Sequence, residues 1–177
     1  MATLVRKWLS YSKASGLIRR MIVEGSHDIA VLDKAAELTS ELSPMNYAAE
    51  AQVLWAYVRN NIRYLDDPTG DDHFQGAAIT MARQAGDCDD QVILLGSLLR
   101  SIGFETRIVF VFKDPPKNYD ADFPAHVYLE LNVNKGSEFP LWVCAETIPL
   151  PDDRGGFYYA TFGAQYPKGF REYVEVN

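Results

Sequence analysis

The chain has 177 residues, 47% of them apolar, and a formal net charge of −7. That length supports one domain with a sizeable core. The acidic balance argues against a nucleic-acid surface, which is basic as a rule, and no apolar run reaches the ~20 residues of a membrane-spanning helix.

Residues 3–24 hold Leu4, Trp8, Leu9, Leu17, Ile18, Met21 and Ile22, with Lys7, Arg19 and Arg20 between them. This spacing predicts an amphipathic helical start, broken near Gly16, whose basic face is solvated or meets an acidic partner. No apolar signal core precedes it, so no cleaved leader is expected. Ser26 or Asp28 caps a second helix through Ile29, Leu32, Ala36 and Leu42, which Ser43-Pro44 stops. Asn46 caps a third helix with Val53, Leu54, Tyr57, Val58 and Ile62. From Tyr64 to Phe74 the Pro, Gly and Asp content predicts a loop. Its aspartates invite a calcium reading, but counting from Asp66 puts Pro68 and Gly70 where an EF-hand needs ligands. His27 and His73 read as surface or structural residues. Gln75 to Gln84 makes a short helix.

The next stretch, Ala85 to Gly103, is the centre of the chain. Gly86 allows a tight turn, Asp87 is a good N-cap, and Val92, Leu95, Leu99 and Ile102 form a buried helical stripe. Arg100 and Gly103 mark the helix end. Cys88 therefore sits in the first helical turn, where free N–H groups and the helix dipole favour thiolate. Asp87, Asp89 and Asp90 oppose thiolate by like charge and argue against deep burial. The second cysteine, Cys144, is expected to be a free packing thiol, since two cysteines do not make a disulfide scaffold.

After Gly103 the pattern turns to strands: Thr106–Phe112, then His126–Val133 and Leu141–Thr147, with a proline-rich surface loop between the first two. An aromatic, glycine-rich tail from Pro149 to Asn177 is expected to wrap the globule and end in a strand from Glu172 to Val176. The hairpin can be registered from its own pattern. With Asn134–Glu138 as the loop, Val133 faces Phe139, and Leu131–Leu141, Leu129–Val143 and Val127–Ala145 form an apolar face. The opposite face pairs Glu130–Trp142, Tyr128–Cys144 and His126–Glu146. A carboxylate beside an imidazole fixes its tautomer and stabilises its charged form, and Cys88 is the obvious nucleophile to complete the set.

These motifs resemble the transglutaminase-like superfamily of papain-fold cysteine enzymes. The resemblance lies in Gly86-Asp-Cys-Asp-Asp90, Leu94-Leu95, Leu98-Leu99-Arg100, Ile102-Gly103 and Arg107-Ile108-Val109. It continues in His126-Val127-Tyr128 and in Trp142-Val143-Cys144-Ala145-Glu146-Thr147. Upstream, Val58–Tyr64, Asp67-Pro68 and Asp72–Gln75 are similar to bacterial and bacteriophage members. The resemblance implies an α+β fold in which a cysteine-bearing helix packs on an antiparallel sheet bearing the histidine and the acid. Residues 1–45 would be a helical extension, 46–150 the catalytic core and 150–177 the wrapping tail of a single domain.

The chemistry it implies is acyl transfer on amide bonds, foremost peptide hydrolysis, with Cys88, His126 and Glu146 as triad. Most members carry aspartate at the Glu146 position. Tyr64 and Gln75 are candidates for the oxyanion hole, with the Cys88 backbone N–H. Neither cofactor nor metal is implied. A zinc site from Cys88, His126 and Glu146 uses suitable ligand types, but the triad explains the same residues better. The expected partner is a protein or peptide substrate, in the cytoplasm of a bacterial or phage-infected cell. The alternative is a structural or assembly protein of a virion or prophage tail that keeps the fold with weak or no activity and docks on other virion proteins.

Overall fold

The protein is described from a computed structural model, over residues 3–5, 9–67, 72–148, 150–151, 157–158 and 170–176. In chain order the elements are β1 (Thr3–Val5), α1 (Tyr11–Gly25), α2 (Ile29–Thr39), α3 (Tyr47–Asn61), β2 (Arg63–Tyr64) and β3 (Asp72–Phe74). They continue with α4 (Ala77–Arg83), β4 (Ala85–Gly86), α5 (Cys88–Ser101), β5 (Thr106–Phe112), β6 (His126–Asn132) and β7 (Trp142–Ala145). Last come β8 (Leu150–Pro151), β9 (Phe157–Tyr158) and β10 (Phe170–Val176). The fold is α+β, as expected.

The predicted first helix is corrected at its start. Residues 3–5 are a strand paired with β3, and the helix begins only at Tyr11 and runs unbroken through Gly16. No side chain caps α1 locally; instead the N–H groups of Tyr11 and Ser12 donate to the carbonyls of Asp122 and Tyr119, in the loop between β5 and β6. The second and third helices do take their local caps. Asp28 accepts from Ala30 N at 2.9 Å and Asn46 from Ala49 N at 3.3 Å. The second ends three residues before the predicted Leu42. The predicted loop from Tyr64 to Phe74 is bounded by two short strands, β2 and β3.

Helix α5 is buried on every side. A single stripe was expected, yet Ile93, Leu94 and Leu98 are as buried as Val92, Leu95 and Leu99, while Ile102 is only half-buried. The reason is position: α1, α2, α3 and α4 surround it on one side and the sheet closes the other, so no face needs to be polar. Close packing of α1 on α5 rests on Gly96, where a Cβ would lie 2.8 Å from Ile22 Cδ1.

The main sheet has the order β10-β5-β6-β7, antiparallel throughout. Its helix-facing side contributes Ile108, Phe110, Phe112, Val127, Leu129, Leu131 and Ala145 to the main core. On the other side Val109, Val111, Tyr128 and Cys144 form a second buried cluster, in keeping with the packing expected of Cys144. Beside that cluster the Arg107 guanidinium lies between the rings of Trp142 and Tyr173, 4.5 and 4.4 Å from their centroids, and bonds Glu130 at 2.5 and 2.8 Å.

The predicted hairpin register is wrong by two residues. Leu131 faces Val143, Leu129 faces Ala145 and Glu130 faces Cys144, and Val133 N donates to Leu141 O at 3.0 Å. A slip of two restores the same alternation, so each residue keeps its face while its opposite number changes. Only a slip of one would have mixed the faces. The turn is correspondingly longer, with Gly136 at φ 76°. The C-terminal strand is present and longer than expected, from Phe170, and pairs along the whole of β5. The wrapping tail between them, from Pro149 to Gly169, lies outside the described residues apart from β8 and β9.

Candidate active site

The site begins with the turn before α5. Strand β4 pairs in parallel with β2, setting Tyr64 beside Gly86. Glycine is required at 86 for space: a Cβ there would lie 2.6 Å from Asp90 Cβ. Asp87 caps α5 by accepting from Asp90 N at 3.3 Å, which makes Cys88 the first helical residue. Cys88 is half-buried, whereas Cys144 is buried in the sheet and its thiol is pushed up to about 12, chiefly by burial.

The cysteine's surroundings are acidic. Burial raises the Cys88 thiol well above its ordinary value, and the Asp89 and Asp87 carboxylates push the same way; a hydrogen bond from the Val127 backbone opposes them. The pull of the helix N-terminus toward thiolate is thus opposed by burial and by the like charges the sequence also carries. Asp87 and Asp89 share a hydrogen bond, and burial followed by mutual repulsion raises Asp89 well above the carboxylate range. Asp90 is pushed up to about 7, first by burial and then by Asp87. It accepts from Gln75 N at 2.6 Å and from the Gln75 side-chain amide.

Among the described residues, Asp87, Asp89 and Asp90 are the one set whose ligand atoms all lie within 4.8 Å of one another. Most of their oxygens are spent on the helix cap, on each other and on Gln75, while Asp89 Oδ1 is buried with no partner among the described residues. Cys88, His126 and Glu146 do not form such a set, so the zinc alternative gains nothing from the geometry.

On the sheet side, His126 opens β6, opposite Val111 in β5. Its Nε2 bonds Glu146 Oε2 at 2.6 Å, with the two side chains 11% and 2% exposed. A carboxylate only accepts, so Nε2 carries a proton, and in the matching neutral tautomer the lone pair is on Nδ1. The pair was expected as direct cross-strand neighbours. Glu146 instead lies just past the end of β7 and reaches His126 from there. Two further bonds hold it: Glu146 Oε1 accepts from Ile148 N at 2.8 Å, and its backbone carbonyl accepts from Trp55 Nε1 at 2.7 Å. Trp55, on α3, was not singled out from the sequence. Its signal was available, because a packed indole N–H needs an acceptor.

The Cys88 thiol meets the backbone of Val127, the residue after His126, and lies within the influence of Glu146. Helix and sheet thus bring the three predicted residues to one place. The two oxyanion candidates diverge. Tyr64 stands by the cysteine: its hydroxyl is raised first by burial, then by a 2.7 Å bond to Asp66, then by the charge of Cys88. Gln75 is held elsewhere, its amide donating to Asp90 and its Oε1 accepting from Arg83 at 3.1 Å.

Among the described residues no helix is long and apolar enough to cross a membrane. The chain resembles a crystal structure named as a "putative protease" from Parabacteroides distasonis, at TM-score 0.58 and 17% identity over 80% of this chain and 32% of that one. It also resembles a "putative cysteine protease" from Cytophaga hutchinsonii, at TM-score 0.45 and 16% identity over 84% of this chain and 51% of that one. It therefore spans about a third and about half the length of these two proteins. No curated protein matches. The sequence model of the transglutaminase-like superfamily matches residues 33–147, more than half of the chain and all of the segment from α3 to Glu146. The chain belongs to the transglutaminase-like superfamily.

Proposed function

We propose that the protein is a cysteine acyl-transfer enzyme that hydrolyses amide bonds in a peptide or protein, through Cys88, His126 and Glu146. The observation that carries this reading is the 2.6 Å bond between His126 and Glu146, on a sheet packed against the helix that Cys88 begins. His126 Nδ1 takes the thiol proton as Cys88 Sγ attacks the amide carbonyl. The raised thiol favours this general-base route over a standing ion pair. The proton passes to the departing amine and leaves a thioester. His126 then takes a proton from water, which attacks the thioester, and returns that proton to the departing Cys88 sulfur as the acid is freed. Glu146 holds the ring and stabilises it while charged. We assign the oxyanion to the Cys88 N–H, joined by the Tyr64 hydroxyl once that hydroxyl turns from Asp66, to which it donates at 2.7 Å. The protease name of the Parabacteroides distasonis neighbour agrees with hydrolysis rather than cross-linking.

A second reading has its own observation. The acidic shell that disfavours thiolate suits a protein that keeps the fold for a structural task with weak or no activity. An activity-based probe that traps cysteine acyl-enzymes separates the two. The expected result is one adduct, on Cys88, absent in Cys88→Ala. No adduct in the folded wild type, or adduct formation at Cys144 ahead of Cys88, favours the structural reading.

A further inference from the structure

A cavity of about 440 Å³ adjoins the site on its α3 side, lined among others by Arg59, Arg63, Tyr64, Gln91, Thr147 and Ile148. Three of these tie it to the proposed catalytic residues. Gln91 lies one helical turn beyond Cys88, Thr147 follows Glu146, and Tyr64 feels the charge of Cys88. Gln91 is 2% exposed; its Nε2 donates to Gly86 O at 3.3 Å, while its buried Oε1 has no partner among the described residues. A buried acceptor left unpaired is costly unless something completes it.

The cavity also carries charge that no ion pair among the described residues uses. Arg59 is half-buried and Arg63 exposed, and neither makes an ion pair among the described residues. Guanidinium groups suit carboxylates, which they can bind through two parallel hydrogen bonds. Asp87 and Asp89 lie at Cys88 itself, and Asp66 accepts from the Tyr64 hydroxyl at 2.7 Å at the cavity's edge. Arg59 and Arg63 thus stand as cations beside an acidic turn, in a chain of net charge −7.

We infer that this cavity is a specificity subsite for a carboxylate of the peptide substrate, held by Arg59 and Arg63, with Gln91 Oε1 accepting a substrate N–H beneath it. The inference rests on the acyl-transfer reading, which names Cys88 as the reacting atom's holder, but its test measures binding. A carboxylate can come from a glutamate side chain or from the peptide's own C-terminus.

The probes are fluorescein-labelled octapeptides of Ala, Ser and Gly. Each carries one central glutamate or glutamine, and a free or amidated C-terminus. They are titrated against full-length Cys88→Ala protein by anisotropy, and against the wild type as protectants of Cys88 from iodoacetamide. The expected result is about tenfold tighter binding of the carboxylate-bearing peptides. That preference is lost in the double variant Arg59→Gln, Arg63→Gln and retained in Arg59→Lys, Arg63→Lys. Protection of Cys88 follows the same order. A preference set by the central residue assigns the site to a side-chain carboxylate; one set by C-terminal amidation assigns it to a chain end. Equal binding with and without a carboxylate, or an undiminished preference in the double glutamine variant, overturns the inference. The two readings fail separately. Cleavage without carboxylate preference removes only the subsite, and carboxylate preference in a protein that never acylates Cys88 removes only the proposed catalysis.

Discussion

On the sheet side of the site, His126, Glu146 and Trp55 form a chain in which each hydrogen bond leads to the next: imidazole to carboxylate, backbone carbonyl to indole. On the helix side, Asp87, Asp89 and Asp90 crowd around Cys88 with more negative charge than partners, and Asp89 Oδ1 is buried without one. The first arrangement fixes one orientation and one tautomer. The second stores repulsion, visible in the upward displacement of all three carboxyls and of the thiol. Two neighbouring halves of the proposed site therefore contribute different things: the sheet gives geometry, and the helix turn sets how reluctantly the Cys88 thiol ionises.

The largest expected effect breaks the sheet side. Glu146→Gln should leave the fold intact and lower acyl-transfer turnover by about 10² to 10³, because a neutral amide cannot stabilise charged His126. The loss should fall short of the ~10⁴ known for serine triads, since a thiol needs less help to ionise. Glu146→Asp should retain more activity than the glutamine variant. Full turnover in a folded glutamine variant, checked by circular dichroism, would leave the orderly half without a catalytic purpose.

Next in size is Gly86→Ala, which tests how tightly the helix turn is built. The new methyl meets Asp90 Cβ at 2.6 Å, so Asp90 must shift from Gln75. Overpacking of this kind costs about 1–3 kcal/mol, and urea unfolding should register it. An unchanged midpoint would mean that the turn is looser than the contact implies.

The smallest effect comes from relieving the repulsion. Acids with raised folded pKa values make stability highest below the ordinary carboxylate range and lower as pH rises through the folded value, about 7 for Asp90. Asp89→Asn removes one of the repelling charges. It should therefore raise the unfolding midpoint at pH 8, leave it nearly unchanged at pH 4, and speed alkylation of Cys88 several-fold at neutral pH. A variant with the wild type's pH dependence and thiol reactivity would show that the crowding is not what holds the thiol protonated.

The same contrast explains what could be read from the sequence. Cys88 and its helix start were legible because Gly86, Asp87 and the apolar run specify a local structure. His126 and Glu146 were found through alternation, which fixes the face of a strand residue. Alternation does not distinguish a register from another two residues away, so the partner residues were wrong while the faces were right. The full burial of α5 was hidden because its surroundings come from four other helices and the sheet. Gln75 illustrates the remaining gap: nothing local tells an amide that will approach a cysteine from one that will bond Asp90, fifteen residues on. Trp55 reaches Glu146 across 91 residues of chain, a distance that no pattern of spacing spans.

Helix α1 borrows its first acceptors from the carbonyls of Tyr119 and Asp122, and Ser12 Oγ adds a bond to Asp120. That loop runs directly into His126. The amides of Tyr11 and Ser12 can therefore exchange with deuterium from solvent only when the loop lets go or the helix end frays. Two protons far along the chain from the imidazole thus become a clock for the backbone that delivers it, readable by NMR without substrate or label.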